Sequence, residues 1–187
     1  MIVFPPAGVR RAVLSLACLA SVGLSRAESA APTEQEVKAA FLYQFTRFVE
    51  WPSAERSNGP EFVVAVLDAD QFYGVAERTL AGKSARDLPV SVRRITGVGE
   101  AQSARILFVG VKDARLLPGI LKAVEGSHVL TVGEAAGFAE HGGMIGFRTV
   151  DNRVRFDINV EQANRSGLKI SSEVLKLARL VRTRESR

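Results

Sequence analysis

The chain has 187 residues, 47% of them hydrophobic and 24% charged, with 25 basic and 20 acidic side chains. Three of the basic residues (Arg10, Arg11 and Arg26) and none of the acidic ones fall in the first 27 positions, so the remainder carries 22 basic against 20 acidic groups, a net +2. That balance makes no case for a nucleic-acid partner. The single cysteine, Cys18, lies in the same leading segment, so the rest of the chain has no disulfide framework and must be held by a hydrophobic core.

Arg10 and Arg11 precede the apolar run AVLSLACLASVGL, which is followed by SRA and the polar ESAAPTEQE. The run is too short to span a bilayer, and its flanks are those of a cleavable secretory signal ending at Ala27. Residues 28–187 are therefore expected to form one exported domain, periplasmic in its commonest setting; about 160 residues suffice for a single core.

Thr33 followed three residues later by Glu36 has the pattern of a capping box and starts a helix expected to run to Phe48. Pro52 prevents its continuation. At about 100° per residue, Val37, Phe41, Phe45 and Phe48 share one face and are expected to be core. Tyr43 projects from the opposite side near Arg47, and with Trp51 at the helix end it is the part of this aromatic stretch that core packing does not explain. These three are candidates for contact with a partner.

FVVAVL (62–67) reads as a strand and residues 70–81 as a helix ended by Gly82. Strands are expected at 89–94, 105–110 and 128–132, with helices around 115–124 and 134–140. Apolar strands separated by helices predict a largely parallel sheet covered on both faces. Further on, GMIGFRTV and RVRFDINV flank Asp151-Asn152, a dipeptide suited to a tight hairpin. That loop sets Thr149 opposite Val154, Phe147 opposite Phe156 and Ile145 opposite Ile158 on an apolar face. The other face has Arg148 opposite Arg155, Gly146 opposite Asp157 and Val150 opposite Arg153. Facing arginines repel unless an anion or solvent intervenes, which makes Arg148 and Arg155 candidates for an acidic partner or a ligand carboxylate, against the plainer reading of a solvated cluster with Asp157. A short helix capped by Asn159 and a final amphipathic helix over 171–182 complete an α/β single-domain sandwich with a C-terminal β-hairpin.

Catalytic signals are scarce. His128 and His141 have no metal-ligand spacing around them and are expected to be structural. No nucleophile elbow or phosphate-loop lysine is present, and GVGEAQ holds only a fragment of a dinucleotide fingerprint. Asp68 and Asp70 follow a strand where α/β proteins often bind ligands, so a crevice near Asp68 and Gly133 is conceivable; one of the two acids is expected to cap the following helix. No cofactor, metal or catalytic set is indicated.

EVKAAFLYQFTRFVEWP near the start of the domain, GGMIGF before the hairpin and VRFDINVEQANRSGLKISSEVLKLARLV at the end resemble the YfiR family of bacterial periplasmic proteins. The resemblance implies an α/β sandwich, commonly dimeric, and a regulatory role: repression of a membrane-bound diguanylate cyclase through its periplasmic sensor region, lower cyclic di-GMP and restrained biofilm formation, relieved by an outer-membrane lipoprotein. It leaves a small-ligand sensor or an accessory of a receptor, kinase or transporter as the alternative. Redox sensing through thiols, associated with the best-known member, has no cysteine to act through after Ala27.

Overall fold

The computed structural model describes residues 31–52 and 59–184; the expected signal segment lies outside them. The capping box forms: the Thr33 hydroxyl accepts from the Glu36 amide, the Glu36 carboxylate accepts from the Thr33 amide at 2.7 Å, and helix α1 runs over Glu34–Phe48. It leads into a short strand, β1 (Val49–Glu50).

Strand β2 (Phe62–Leu67), helix α2 (Asp70–Leu80), strands β3 (Ser84–Ala85) and β4 (Leu88–Ile95), and a 3₁₀ turn at 98–103 follow. Then come β5 (Ile106–Val109), a 3₁₀ turn at 114–116, α3 (Leu117–Ala123), β6 (Leu130–Gly133), β7 (Ile145–Val150) and β8 (Arg153–Ile158). The chain ends in α4 (Val160–Arg165), β9 (Lys169–Ile170), α5 (Ser172–Leu175) and β10 (Arg179–Leu180).

Eight strands form one sheet in the order β10-β8-β7-β6-β5-β2-β4-β3, parallel throughout except at β7–β8 and β3–β4. Strands β1 and β9 make a separate antiparallel pair. All six residues of β2 are buried, as a central parallel strand covered on both faces requires. Its alternate residues go to different layers. Phe62, Val64 and Val66 pack with α1, α2 and the C-terminal segments, whereas Val63, Ala65 and Leu67 pack with α3, the 98–103 turn and Phe138. The result is the expected α/β sandwich.

The hairpin has the predicted register at all six pairs. Asp151 and Asn152 both take left-handed backbone, with φ of 48° and 56°, which is the conformation a two-residue loop demands. Phe147 and Phe156 meet the first helix: Phe45 lies 6.1 Å from Phe147 and 5.6 Å from Phe156 between ring centroids, and Phe41 lies 5.2 Å from Phe156.

The buried stripe of α1 differs from the expected one. Lys38, Ala39, Leu42, Phe45 and Thr46 are buried, while Val37, Phe41 and Phe48 are half-buried and flank them. The helix packs on α2 as well as on the sheet, so its apolar sector is wider than one face and centred on Leu42. Three other expectations are corrected. Residues 134–140 form turns rather than a helix. Neither Asp68 nor Asp70 caps α2: the N-cap is Ala69, without a side-chain bond, because the chain turns left-handed at Asp68 (φ 52°). The segment 171–182 is only briefly helical before β10 adds in parallel to the edge of β8, where Val181 N–H donates to the Ile158 carbonyl at 2.9 Å.

Candidate functional site

Polar side chains converge where β5 and β6 end. Lys112 follows β5 and Glu134 follows β6, and α1 brings Lys38 to the same place. The Lys38 side chain is 5% exposed, and its ammonium donates to Glu134 at 2.7 Å and to Glu34 at 2.6 Å. Burial alone pushes the Lys38 ammonium down, but the two carboxylates outweigh it and hold the group above its ordinary range. The hydrogen bond from Lys38 is also what chiefly holds Glu34 below the ordinary carboxyl range.

This groove of about 430 Å³ adjoins a second of about 540 Å³, with Arg148 lining both. In the second groove Asp157, buried on β8, accepts from Arg148 Nε at 2.8 Å and from Arg179 Nε at 2.9 Å and Nη2 at 2.5 Å. Glu140 receives Arg179 at 3.1 Å and is also ion-paired with Arg184. Desolvation pushes the Asp157 carboxyl up, yet the bonds from Arg179 and Arg148 prevail and keep it below its ordinary range. The repulsion expected between Arg148 and Arg155 is thereby relieved: Arg148 turns to Asp157, and the exposed Arg155 side chain has no hydrogen bond or ion pair among the described residues.

The open crevice conceived near Asp68 and Gly133 is filled at both points. A methyl at Gly110 would overlap Ala69 and the Asp68 carbonyl, and one at Gly133 would overlap the Phe138 ring. The grooves open one residue further out, at Glu134.

The other candidates lie at the far end of α1, against β3. The half-buried Tyr43 donates its hydroxyl to the Ser84 carbonyl at 3.1 Å and receives the Lys83 ammonium 5.0 Å from its ring centre. Arg47 is exposed in the last turn, favourably placed for the helix dipole. Trp51, expected to be unexplained by packing, is 6% exposed and meets Phe62 edge-on at 5.4 Å. Arg86 covers its ring at 5.7 Å. Its Nε1–H is buried and has no acceptor among the described residues. A cavity of about 430 Å³ opens here, its lining including Trp51, Phe62, Arg86, Asp87, Leu88 and Arg105.

Tyr43, Arg47 and Trp51 thus stand apart from Arg148 and Arg155, which lie towards the opposite end of the sheet. The two histidines have structural contacts: His128 Nδ1 is 2.8 Å from the Ser166 carbonyl and His141 Nδ1 is 2.8 Å from that of Gly137. Lys38, Arg179 and Glu140 were not singled out from the sequence. Lys38 did leave a signal, since a lysine at helical spacing from Leu42 and Phe45 has to find a carboxylate. Arg179 left none while its segment read as a helix.

Fold and surface together define a single-domain α/β sandwich with a mostly parallel sheet covered on both faces. Residues 35–179 match the YfiR/HmsC-like family, and the chain belongs to it. Among solved structures it is similar to a conserved domain protein from Vibrio cholerae O1 biovar El Tor, with 11% identity and a TM-score of 0.55. It is also similar to an ABC domain from Streptococcus pneumonia in complex with L-Trp, with 14% identity and a TM-score of 0.51. Each similarity covers 79% of this chain and 60% of the other, so the chain spans three-fifths of the length of these structures, and what they share is the fold.

Proposed function

We propose that this protein is an exported repressor that binds the periplasmic sensor region of a membrane-bound diguanylate cyclase and holds the enzyme inactive, lowering cyclic di-GMP and biofilm formation. Membership of the YfiR/HmsC-like family over residues 35–179 is the observation that carries this reading. Among the described residues no helix is long and apolar enough to cross a membrane, and no cluster of three potential metal ligands occurs. Partner contact is assigned to two patches: Tyr43, Arg47 and Trp51 at the end of α1, and Arg148 with Arg155 on the hairpin. Arg47 and Arg155 present open donors to an acidic surface, Arg148 is held in place by Asp157, and Trp51 supports the first patch from below.

The test is deletion of the gene with cyclic di-GMP measured in the cells. A repressor predicts a rise, restored by the wild-type chain but not by an exported, folded Arg148→Glu/Arg155→Glu variant. An unchanged level after deletion would overturn the reading. It would favour instead a periplasmic ligand-binding sensor or an accessory of a receptor, kinase or transporter, for which the cavity beside Trp51 is the supporting observation.

A further inference from the structure

Strand β10 ends the sheet with two residues, both exposed, that pair in parallel with the last two of β8: Arg179 with Asp157 and Leu180 with Ile158. A strand that short has little ladder to hold it, and apolar burial does not make up the difference, since Leu180 is 58% exposed. The backbone beyond it adds Val181 N–H to the Ile158 carbonyl at 2.9 Å and Arg184 N–H to the Glu140 carbonyl at 2.8 Å. Side chains do the rest. Arg179 reaches Asp157 through Nε and Nη2 and Glu140 through Nη2, Arg184 pairs with Glu140, and the Thr183 hydroxyl accepts from the Asn159 amide at 2.9 Å.

These ties are asymmetric. The acceptors belong to the body of the domain: the Asp157 and Glu140 side chains are 8% and 12% exposed, and Asn159 is fully buried. The guanidinium donors belong to the surface, with the Arg179 and Arg184 side chains 53% and 72% exposed. Arg148, on β7, stays bonded to Asp157 whether or not the strap of residues 179–184 is in place, so lifting the strap does not leave that buried carboxylate without a cation, the most costly outcome. A segment with few buried apolar contacts and exposed ends opens more readily than the sheet it covers. Beneath it the body keeps a main-chain edge at β8 and two carboxylates lining one groove of about 540 Å³.

We propose that the β8 edge under this strap is a docking surface for an extended basic segment of a partner protein, and that the chain's own strap is an exchangeable, autoinhibitory occupant of it. The strap itself shows what fits: a stretch adding in parallel to β8, with one arginine forked onto Asp157 and a second, five residues on, at Glu140. Main-chain bonds to β8 hold such a segment whatever its sequence, and the two carboxylates select for its charge and register. A tethered strap competes at an effective concentration in the millimolar range, so the edge stays closed to weak or transient partners and opens to a strand that binds better. This surface is separate from the exposed arginines assigned to an acidic partner, and its chemistry is the reverse of theirs.

A fluorescein-labelled peptide with the sequence of residues 178–184, ARLVRTR, is titrated by anisotropy against the full chain and against Arg179→Ala/Arg184→Ala, which loosens the strap and leaves both carboxylates in place. Expected is saturable binding to the double variant, tighter than to the wild-type chain by about tenfold or more, and weakened by a similar factor when the peptide is scrambled or Glu140→Gln is added to the protein. Hydrogen exchange on the unmodified chain gives a second reading that does not depend on how the variants fold. The Val181 amide should exchange faster than the amides shared by β7 and β8, and faster still with the unlabelled peptide at millimolar concentration, while β8 stays protected. No saturable binding to the double variant, equal binding of the scrambled peptide, or Val181 exchange that matches the β7–β8 amides and ignores the peptide overturns the proposal. A concentration-dependent dimer of the double variant that excludes the peptide also overturns it, because the edge would then belong to a second copy. None of these measurements involves a cyclase, so the outcome is separable from that of the repressor reading.

Discussion

Phe138 lies against three glycines. A methyl at Gly133 or Gly143 would overlap its ring, and one at Gly146 would come within 3.3 Å of its Cβ. The turn over 134–143 therefore needs these positions bare so that the ring can reach the α3 layer of the core, where Phe138 is 1% exposed. We expect Gly143→Ala to cost roughly 1–3 kcal/mol by overpacking. Combining it with Phe138→Leu should recover part of the loss, so that the double variant is more stable than the sum of the singles. Urea denaturation of the four-member cycle measures this, and strict additivity would show that the ring is not what the glycine accommodates. This contact was not legible in the sequence, where residues 134–140 read as a helix, because nothing local shows that the glycines make room for the Phe138 ring.

At the scale of elements, α1 and β10 illustrate different degrees of legibility. The capping box, the length of α1 and the hairpin register are local or near-local and were read correctly from residue types. The direction of the buried stripe was not, because α2 packs against α1 from a side the sequence does not reveal. The consequence is measurable: Phe45→Ala, at 1% exposure, should cost about 3–5 kcal/mol, and the half-buried Phe41→Ala clearly less. Equal losses would restore the stripe centred on Phe41. For β10, truncation after Ala178 removes Arg179 from Asp157 and the Val181 bond to Ile158. We expect a lower urea midpoint and faster amide exchange confined first to β8; uniform protection across the sheet would show that β10 contributes nothing to that edge.

For the molecule as a whole, the charge pairs set a pH profile. Asp157 and Glu34 have carboxyls held below their ordinary range, so they bind fewer protons folded than unfolded at mildly acid pH. The stability they add is present above roughly pH 4 and is lost as the pH falls through their folded values. Lys38 is displaced upward, so its contribution is present below about pH 10 and is lost as the pH rises through its folded value. The expected result is a plateau between these limits and a falling acid limb. Asp157→Asn should lower the plateau, because Arg148 and Arg179 lose their shared anion, and flatten the acid limb; urea midpoints across pH test it, and an unaltered slope would remove Asp157 from the account.

Residue order alone determined the central strands, where α1 begins, how the hairpin pairs and that no cysteine follows Cys18, because each depends on neighbours in the chain or on composition. Only the tertiary structure decided that Trp51 is buried under Arg86, that Lys38 meets Glu134, and that the last segment completes the sheet as a strand. Those outcomes rest on groups far apart in sequence, such as Asp157 and Arg179, whose pairing makes a strand at the edge of β8 more favourable than the amphipathic helix that local pattern suggests.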